Sequence, residues 1–211
     1  MQIDKKLKIS FSKDEIITYA KGVIEKEDKG IRSLLHHING EFANVVNEIL
    51  NCKGKVVIVG LGKSGHIGKK IAASMASTGT PAFFVHGDEL LHGDFGMIEK
   101  KDVVIALSNS GETREIINDF PILRKIGCKV ISITSNPNST MALNSDIHIC
   151  IGKLKEADHL NLAPTTSSTA TLVMGDAIAL TLSYLKGFRS EDFAFYHPGG
   201  SLGKGLTGKE L

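Results

Sequence analysis

Apolar residues at helical spacing dominate the first fifty residues of the chain. Ser12 and Glu15 have the spacing of a capping box, which predicts the start of a helix. Between Ile31 and Ile49 apolar residues recur every three or four positions, and Asn39-Gly40 interrupts them, which predicts two helices. We therefore expect residues 1–53 to be helical, with an apolar stripe that needs a partner surface.

Beyond these helices the pattern changes to short, continuous runs of β-branched and aromatic residues. Each run has the length and composition of a strand that is buried on both faces of a sheet. Helical stretches alternate with the runs, so we predict an α/β fold with a doubly wound, parallel, five-stranded sheet over residues 54–153. The predicted strands are 56–60, 82–87, 102–108, 129–135 and 147–152, and the clearest helix is 112–126, closed by Gly127.

The last segment, residues 154–211, predicts one more helix and a tail. Residues 168–187 have the composition of a long buried helix that ends at Gly187, whereas residues 188–211 are glycine-rich and show no strong periodicity. No repeat, low-complexity run or linker divides the chain, which indicates a single domain over residues 1–211.

Composition narrows the functional classes. A net charge of +2 is too small to indicate a nucleic-acid surface. Cys52, Cys128 and Cys150 are odd in number and widely spaced, which is typical of core residues in a reducing compartment. The N-terminal residues lack an apolar signal core, and no apolar run approaches the roughly 20 residues that span a bilayer. We expect a cytoplasmic protein without nucleic-acid or membrane partners.

The stretch GLGKSGHIG, residues 60–68, contains parts of two phosphate-binding signatures. A triphosphate loop needs a glycine five residues before its Gly-Lys pair, and that position is Val57. The G-x-G-x-x-G pattern fits a dinucleotide loop incompletely, because the expected acid lies too far along the chain. A tight turn would explain the glycines, but Lys63 and Ser64 add a cation and a hydroxyl beside free backbone N–H groups. This loop therefore predicts a site for an anion.

A second loop, SNSGET at residues 108–113, stands where the third predicted strand gives way to a helix. It combines three hydroxyls with Gly111, which lets the backbone approach a ligand, and with the N–H groups of a helix N-terminus. The alternative is a serine-rich helix cap. The stretch TTSST at residues 165–169 offers a further set of hydroxyls. Several such loops suit a small phosphorylated molecule better than a dinucleotide.

Four motifs in order resemble the arabinose-5-phosphate isomerases of the sugar isomerase (SIS) domain family. SNSGET resembles the phosphosugar-binding loop of the domain, and the other motifs are residues 60–97, LAPTTSSTATLVMGDA and HPGGSLGK. The resemblance covers about residues 12–205 and departs at Asp158-His159, where other residues are expected. It implies a flavodoxin-like sheet, a short form without the CBS modules typical of the family, and a homotetramer with sites at subunit junctions.

The resemblance also implies the chemistry. The expected reaction interconverts D-arabinose 5-phosphate and D-ribulose 5-phosphate through an enediolate, as the first step toward 3-deoxy-D-manno-octulosonate (Kdo), with no cofactor and no required metal. The implied catalytic residues are Lys63, His92, Glu115 and His197. The implied substrate- and phosphate-binding residues are Gly62, Ser64, His86, Ser108, Asn109, Ser110, Gly111, Thr113, Thr166, Ser167 and Ser168. An inhibitory zinc ion could bind at His86, His92 and His197.

Such a reaction needs a general base that moves a proton between C1 and C2, and a group that stabilises the oxyanion. A cyclic aldose must also be opened. The sequence leaves open which of His92, Glu115 and His197 touches carbon and which opens the ring. Glu112 has a claim similar to that of Glu115 from proximity alone. The remaining candidates, His36, His37 and His148, lie in predicted helix or strand and are expected to be structural.

Three rival functions remain at this point. Another phosphosugar isomerase, such as a 3-hexulose-6-phosphate isomerase, is disfavoured by the HGDELLHGD and HPGGSLGK stretches. A non-catalytic phosphosugar sensor is disfavoured because acid–base residues are present and no helix-turn-helix is visible. A dinucleotide oxidoreductase is disfavoured by the incomplete fingerprint.

Overall fold

The computed structural model describes residues 11–199. Predictions for residues 1–10 and 200–211, which include most of the HPGGSLGK motif, lie outside the described residues.

The predicted α/β fold is confirmed. The strands are β1 (Val56–Gly60), β2 (Ala82–His86), β3 (Val103–Leu107), β4 (Lys129–Thr134) and β5 (Ile147–Cys150). The helices are α1 (Lys13–Ser33), α2 (Gly40–Asn51), α3 (Gly62–Ser77), α4 (Gly87–Leu90), α5 (Arg114–Ile126), α6 (Thr140–Asn144), α7 (Thr166–Leu185) and α8 (Ser190–Tyr196), with 3-10 turns at Leu34–His37 and Asp94–Met97.

All five strands are parallel, in the order β2-β1-β3-β4-β5. This is the flavodoxin-like order, and the direction in which strands are added reverses between β1 and β3. Gly60 at the end of β1 pairs in register with His86 on one side and with Leu107 on the other. The segments that follow these strands therefore emerge at one edge of the sheet, where doubly wound proteins bind their ligands.

Two hydrophobic cores cover the two faces of the sheet. Helices α2, α3 and α7 contribute to one of them and α4, α5 and α6 to the other. Every residue of β1 and of β3 is buried, as their continuous apolar sequences predict. Removing a large core side chain, as in Ile131→Ala, is expected to cost about 2–5 kcal/mol.

The N-terminal helices form as predicted, and the α2 part of their apolar stripe is covered within the chain. Ser12 and Glu15 make the predicted capping box, with the Glu15 N–H donating to Ser12 Oγ at 3.2 Å. Phe42, Val46 and Ile49 of α2 are buried in the core formed with α7 and β5. The chain itself therefore supplies the partner surface for the α2 part of the stripe, whereas Leu35 and Ile38 stay exposed. On α1 and its N-terminal flank the exposed apolar side chains are Phe11, Ile16, Ile17, Tyr19 and Ile24.

Two helix boundaries differ from the sequence prediction. Helix α3 begins at Gly62, so Lys63 and Ser64 lie in its first turn, whereas the sequence analysis treated residues 60–68 as a loop. The tail expected after residue 187 contains α8, which is only 7 residues long and too short to show a periodic pattern. In contrast, Gly127 ends α5 as predicted, with a left-handed φ of 82°.

Helix α7 is, among the described residues, the one helix that is long and apolar enough to cross a membrane by length and composition alone. This is weak evidence, because a core helix passes the same test. Ala170, Met174, Ile178 and Leu182 of α7 are buried against the sheet and its neighbouring helices, which accounts for the apolar composition.

Candidate functional site

A cleft of about 150 Å³ lies where the chain leaves β1 and β3. Three segments that are far apart in sequence meet there: the start of α3, the loop after β3 and the start of α7. The lining residues are Leu61, Lys63, Ser64, Asn109, Pro164, Ser167, Ser168 and Thr171. The structure therefore brings together parts of all three hydroxyl-rich stretches that the sequence singled out.

The start of α3 supplies a cation to this cleft. Gly62 has a left-handed φ of 51°, and the Gly65 N–H donates to the Leu61 carbonyl at 2.9 Å, so the chain turns directly from β1 into the helix. Lys63 follows on the first turn, is exposed, and has no ion-pair partner among residues 11–199. Its ammonium group is therefore available to an anionic ligand.

The SNSGET loop is organised around Ser108, which is only 5% exposed. Its hydroxyl lies 2.7 Å from Thr113 Oγ1 and accepts a hydrogen bond from the Gly111 N–H at 3.0 Å. Ser110 and Asn109, by contrast, are exposed, and Ser110 Oγ accepts the Glu112 N–H at 3.1 Å. Ser108 thus shapes the loop from within, while Ser110 and Asn109 are accessible to a ligand.

The loop is also held from outside by the segment that follows β4. Gly111 has a φ of 70°, and a side chain there would collide with Ser139, so only glycine fits. The Gly111 carbonyl accepts the Met141 N–H at 3.1 Å. The Asn109 carbonyl accepts both the N–H and the hydroxyl of Ser135, at 2.9 and 2.7 Å. This bracing fixes the loop before any ligand arrives.

Glu112 and Glu115, which the sequence could barely separate, have different environments. Glu112 Oε1 accepts the Thr140 N–H at 2.8 Å, at the start of α6, and this hydrogen bond lowers the pKa of the Glu112 carboxyl. Glu115 lies on the first turn of α5, is exposed, and has no hydrogen-bond partner within residues 11–199. Glu112 therefore braces the loop, and Glu115 is the carboxylate that is free to act on a ligand.

The first turn of α7 contributes only part of what the sequence predicted. Ser167 and Ser168 line the cleft. Thr166, however, packs against Gly30 of α1 and lies outside the cleft. The prediction that all three residues face one ligand needs this correction, because consecutive residues on a helix point about 100° apart.

A carboxylate that the sequence analysis did not consider, Glu156, lies beside the cleft. It accepts hydrogen bonds from the Thr165 N–H at 2.8 Å and the Ser167 N–H at 3.2 Å, and from the Ser167 hydroxyl. Burial alone would raise the pKa of Glu156, but the hydrogen bonds from Ser167 and Thr165 lower it overall. Glu156 therefore acts as the counter-anion of the α7 N-terminus. No local motif marks it, because its partners lie about ten residues further along the chain.

The two predicted histidines after β2 lie at the edge of the sheet. His86 ends β2, next to Gly60 of β1, and its Nδ1 atom lies 3.7 Å from Asp88 Oδ2. His92 follows α4 in an exposed turn. Neither residue lines the cleft that contains Lys63.

His197 lies at the opposite end of the molecule from the cleft. It ends α8, where its ring stacks on Phe193 at 3.9 Å. The adjacent Tyr196 stacks on Phe188, which packs against Gly79, just before β2 begins. His197 is therefore near the amino ends of the strands. Its implied catalytic role stays a prediction, because the resemblance implies sites at subunit junctions and one chain does not bring His197 to the cleft.

The positions of the histidines also decide whether one chain could hold the expected zinc ion. Among the described residues there is no cluster of three His, Cys, Asp or Glu side chains that could hold a metal ion. The expected zinc ligands His86, His92 and His197 are consequently not assembled within one chain.

Of the three histidines that were expected to be structural, His148 and His37 contact other parts of the chain, whereas His36 is exposed. His148 lies on β5 with its Nε2 atom 2.9 Å from Thr134 Oγ1, and burial lowers its pKa. His37 packs against Gly152, which has a left-handed φ of 77°. His36 is exposed on the 3-10 turn.

The chain is similar to known proteins of one family over most of its length. A family model described as the SIS domain matches residues 49–181. The arabinose 5-phosphate isomerase KdsD of Yersinia pestis is 54% identical over 186 residues, which is 88% of this chain and 57% of the relative. KdsD of Pseudomonas aeruginosa is 51% identical over 192 residues, which is 91% of this chain and 59% of the relative. The chain thus spans less than two thirds of the length of these relatives.

A solved structure is also similar over nearly all of the chain. It is an Escherichia coli CFT073 protein in complex with arabinose 5-phosphate, which superimposes with a TM-score of 0.87 at 48% identity. The match covers 89% of this chain and 100% of that one.

Proposed function

The chain belongs to the SIS domain family, and we propose that it is an aldose–ketose isomerase that interconverts D-arabinose 5-phosphate and D-ribulose 5-phosphate. The observation that carries the proposal is the cleft, in which Lys63 and the serines of α7 lie beside a preformed, hydroxyl-rich loop. The names of the curated relatives and the ligand of the Escherichia coli structure support this choice of phosphosugar.

The 5-phosphate binds at the loop of residues 108–113. Ser110 donates its hydroxyl, and backbone N–H groups around Gly111 and the N-terminus of α5 add further donors. Lys63 and Ser64 face the sugar from α3. Charge-assisted hydrogen bonds of this kind contribute roughly 1.5–3 kcal/mol each.

Isomerisation then moves two protons, one from C2 to C1 and one from O2 to O1. A base removes the C2 proton of the open-chain aldose, the enediolate forms, and a proton returns to C1 to give the ketose. Glu115 is the free carboxylate of this chain beside the phosphate loop and is our candidate for this base. Lys63 stabilises the negative charge that develops on the enediolate oxygens. His92 and His197 remain candidates for ring opening or for the carbon base itself.

The two histidines reach the reacting sugar from neighbouring subunits in this proposal. His197 lies at the far end of its own chain, and His92 is exposed beyond the edge strand. The segment that carries His92 also exposes Leu91 and Met97, and α1 exposes an apolar face. These surfaces support self-association, and we propose a homotetramer, the assembly that the resemblance implies.

Incubation of the purified protein with D-arabinose 5-phosphate, without NAD and without added metal, tests the reaction. The expected result is formation of the ketose phosphate, whereas D-arabinose should not be converted. Binding of the phosphosugar without turnover would support a sensor and contradict the proposal. Equal turnover of D-arabinose would show that the 5-phosphate is not recognised.

The cellular setting of the proposal follows from the reaction. D-arabinose 5-phosphate would feed the pathway to Kdo, in the cytoplasm. The three cysteines, Cys52, Cys128 and Cys150, are all unpaired, which is compatible with a reducing compartment.

A further inference from the structure

A cleft much larger than the one that contains Lys63 lies between the C-terminal half of α1 and residues 153–161, which connect β5 to α7. Its volume is about 640 Å³. A cavity of this size accommodates a metabolite rather than a single ion. It includes Asp158 and His159, the two residues at which the chain departs from the family resemblance.

The walls of this cavity carry an excess of positive charge. Lys26 and Lys29 project from α1, and Lys153 and Lys155 from the connecting segment. None of the four has an ion-pair partner among residues 11–199, and only Lys26 makes a hydrogen bond, to the Ala157 carbonyl at 3.2 Å.

The two carboxylates in the walls are engaged by other donors. Asp158 accepts backbone N–H groups of Leu160 and Leu162 at 3.0 and 2.9 Å, and that of Ala163 at 3.1 Å. Glu156 accepts the donors at the start of α7 described above. Because neither acid is paired with a lysine, the ammonium groups lack counter-ions.

A buried hydroxyl in the wall also lacks a partner. Thr166, the first residue of α7, is only 1% exposed, and its Oγ1 atom forms no hydrogen bond with any described residue. Because the Oγ1 atom itself has almost no accessible surface, this hydroxyl does not face the cavity, and the lysine ammonium groups are the donors available to a ligand there.

We propose that this cavity binds a small phosphorylated metabolite, held by Lys29, Lys153 and Lys155. The site is distinct from the phosphosugar cleft, since the lining residues of the two share no side chain. The proposal does not depend on the isomerase activity.

Isothermal titration with pyrophosphate tests the site, with the phosphosugar cleft first saturated with D-arabinose 5-phosphate. The test variant is K29Q/K153Q, which removes two charges but keeps the aliphatic stems. The matched control is K100Q/K125Q, which removes the same charge from exposed lysines elsewhere. We expect one pyrophosphate per chain, an affinity reduced about tenfold or more in the test variant, and little change in the control.

Three outcomes would overturn the proposal. They are an absence of pyrophosphate binding at millimolar concentration, an unchanged affinity in K29Q/K153Q, and an equal loss in the control, which would indicate non-specific attraction. If D-arabinose 5-phosphate itself fails to bind, the proposed function is contradicted, but the comparison of the two variants still reports on the cavity.

Discussion

The SNSGET loop and the two histidines His92 and His197 lie in very different surroundings. The loop is fixed by hydrogen bonds within one chain, through Ser108 at its centre and Ser135 and Glu112 at its sides. His92 is exposed, and His197 is at the other end of the sheet. One chain therefore holds in place the loop that we propose for the phosphate, but it leaves the histidines expected to transfer protons apart from that loop.

This contrast predicts that phosphate binding depends on one chain, whereas proton transfer depends on the packing of several chains. A phosphate group can be bound by a rigid loop whose donors are already oriented, which needs no second chain. Placing a histidine within hydrogen-bonding distance of the sugar depends on how chains pack together. Binding and turnover should therefore respond differently to mutation and to assembly.

The largest expected effect is a loss of turnover when a histidine outside the SNSGET loop is removed. His197→Ala should lower kcat by ~10²–10⁴-fold, the usual contribution of a general acid or base, while binding of the phosphosugar changes little. Steady-state kinetics and calorimetry on the same preparations measure both. Glu115→Ala and His92→Ala, assayed in both directions with C2-proton exchange, identify the carbon base and the ring-opening group.

Mixing two inactive variants tests whether His197 acts in the site of a neighbouring chain. If His197 acts in a neighbour's site, mixed oligomers of His197→Ala and Lys63→Ala chains contain some intact sites and regain activity. No recovery after verified subunit exchange would place His197 and Lys63 in the site of the same chain. An active monomer in light scattering would contradict the tetramer.

A buried carboxyl next to α4 gives the next largest effect. Asp119 on α5 is fully buried, neither oxygen has a described partner, and burial together with Asp88 on α4 raises its pKa from 3.8 to about 7. Because the folded pKa is the higher one, its stabilising contribution is complete below pH 3.8 and is lost as pH rises through about 7. The free energy of unfolding should fall over this range by on the order of 4 kcal/mol at most.

Asp119→Asn tests this dependence, since it keeps the shape but cannot ionise. Urea unfolding of the variant and the parent at several pH values between 4 and 8 should show the variant gaining relative stability as the pH rises. A difference that stays constant with pH would mean that Asp119 does not titrate in the folded protein.

A smaller loss, of phosphosugar affinity, is expected from a substitution in the SNSGET loop itself. Ser110→Ala removes a charge-assisted hydrogen bond to the phosphate and should weaken phosphosugar binding about tenfold or more. Inorganic phosphate should lose affinity in parallel, which calorimetry can measure. Unchanged binding of both ligands would remove Ser110 from the phosphate site.

The smallest effect should come from the hydrogen bond that joins Glu112 of the loop to the start of α6. Glu112→Ala removes the acceptor for the Thr140 N–H, and we expect KM to rise several-fold, as for a hydrogen bond worth about 1 kcal/mol, with kcat nearly unchanged. Glu112→Gln keeps an acceptor oxygen and should restore KM. A large loss of kcat in both variants would instead indicate that Glu112 takes part in proton transfer.

Much of the architecture was determined by the sequence alone, because local patterns govern it. Five continuous apolar runs specified the strands, of which β1 and β3 are buried throughout and the edge strands β2 and β5 only in part. The capping box at Ser12 and the glycine at position 127 marked helix ends. The strand-to-helix junctions placed Lys63 and Ser110 at the ligand-binding edge, since parallel strands end on the same side of a sheet.

Only the tertiary structure decided which of these residues share surroundings. It separated Glu112 from Glu115 through a hydrogen bond to Thr140, turned Thr166 away from the cleft, and brought Glu156 to Ser167. It also covered the apolar stripe of α2 within the chain and carried His197 to the far end of the sheet. These outcomes depend on packing between segments distant in sequence, and a local pattern carries no information about such contacts.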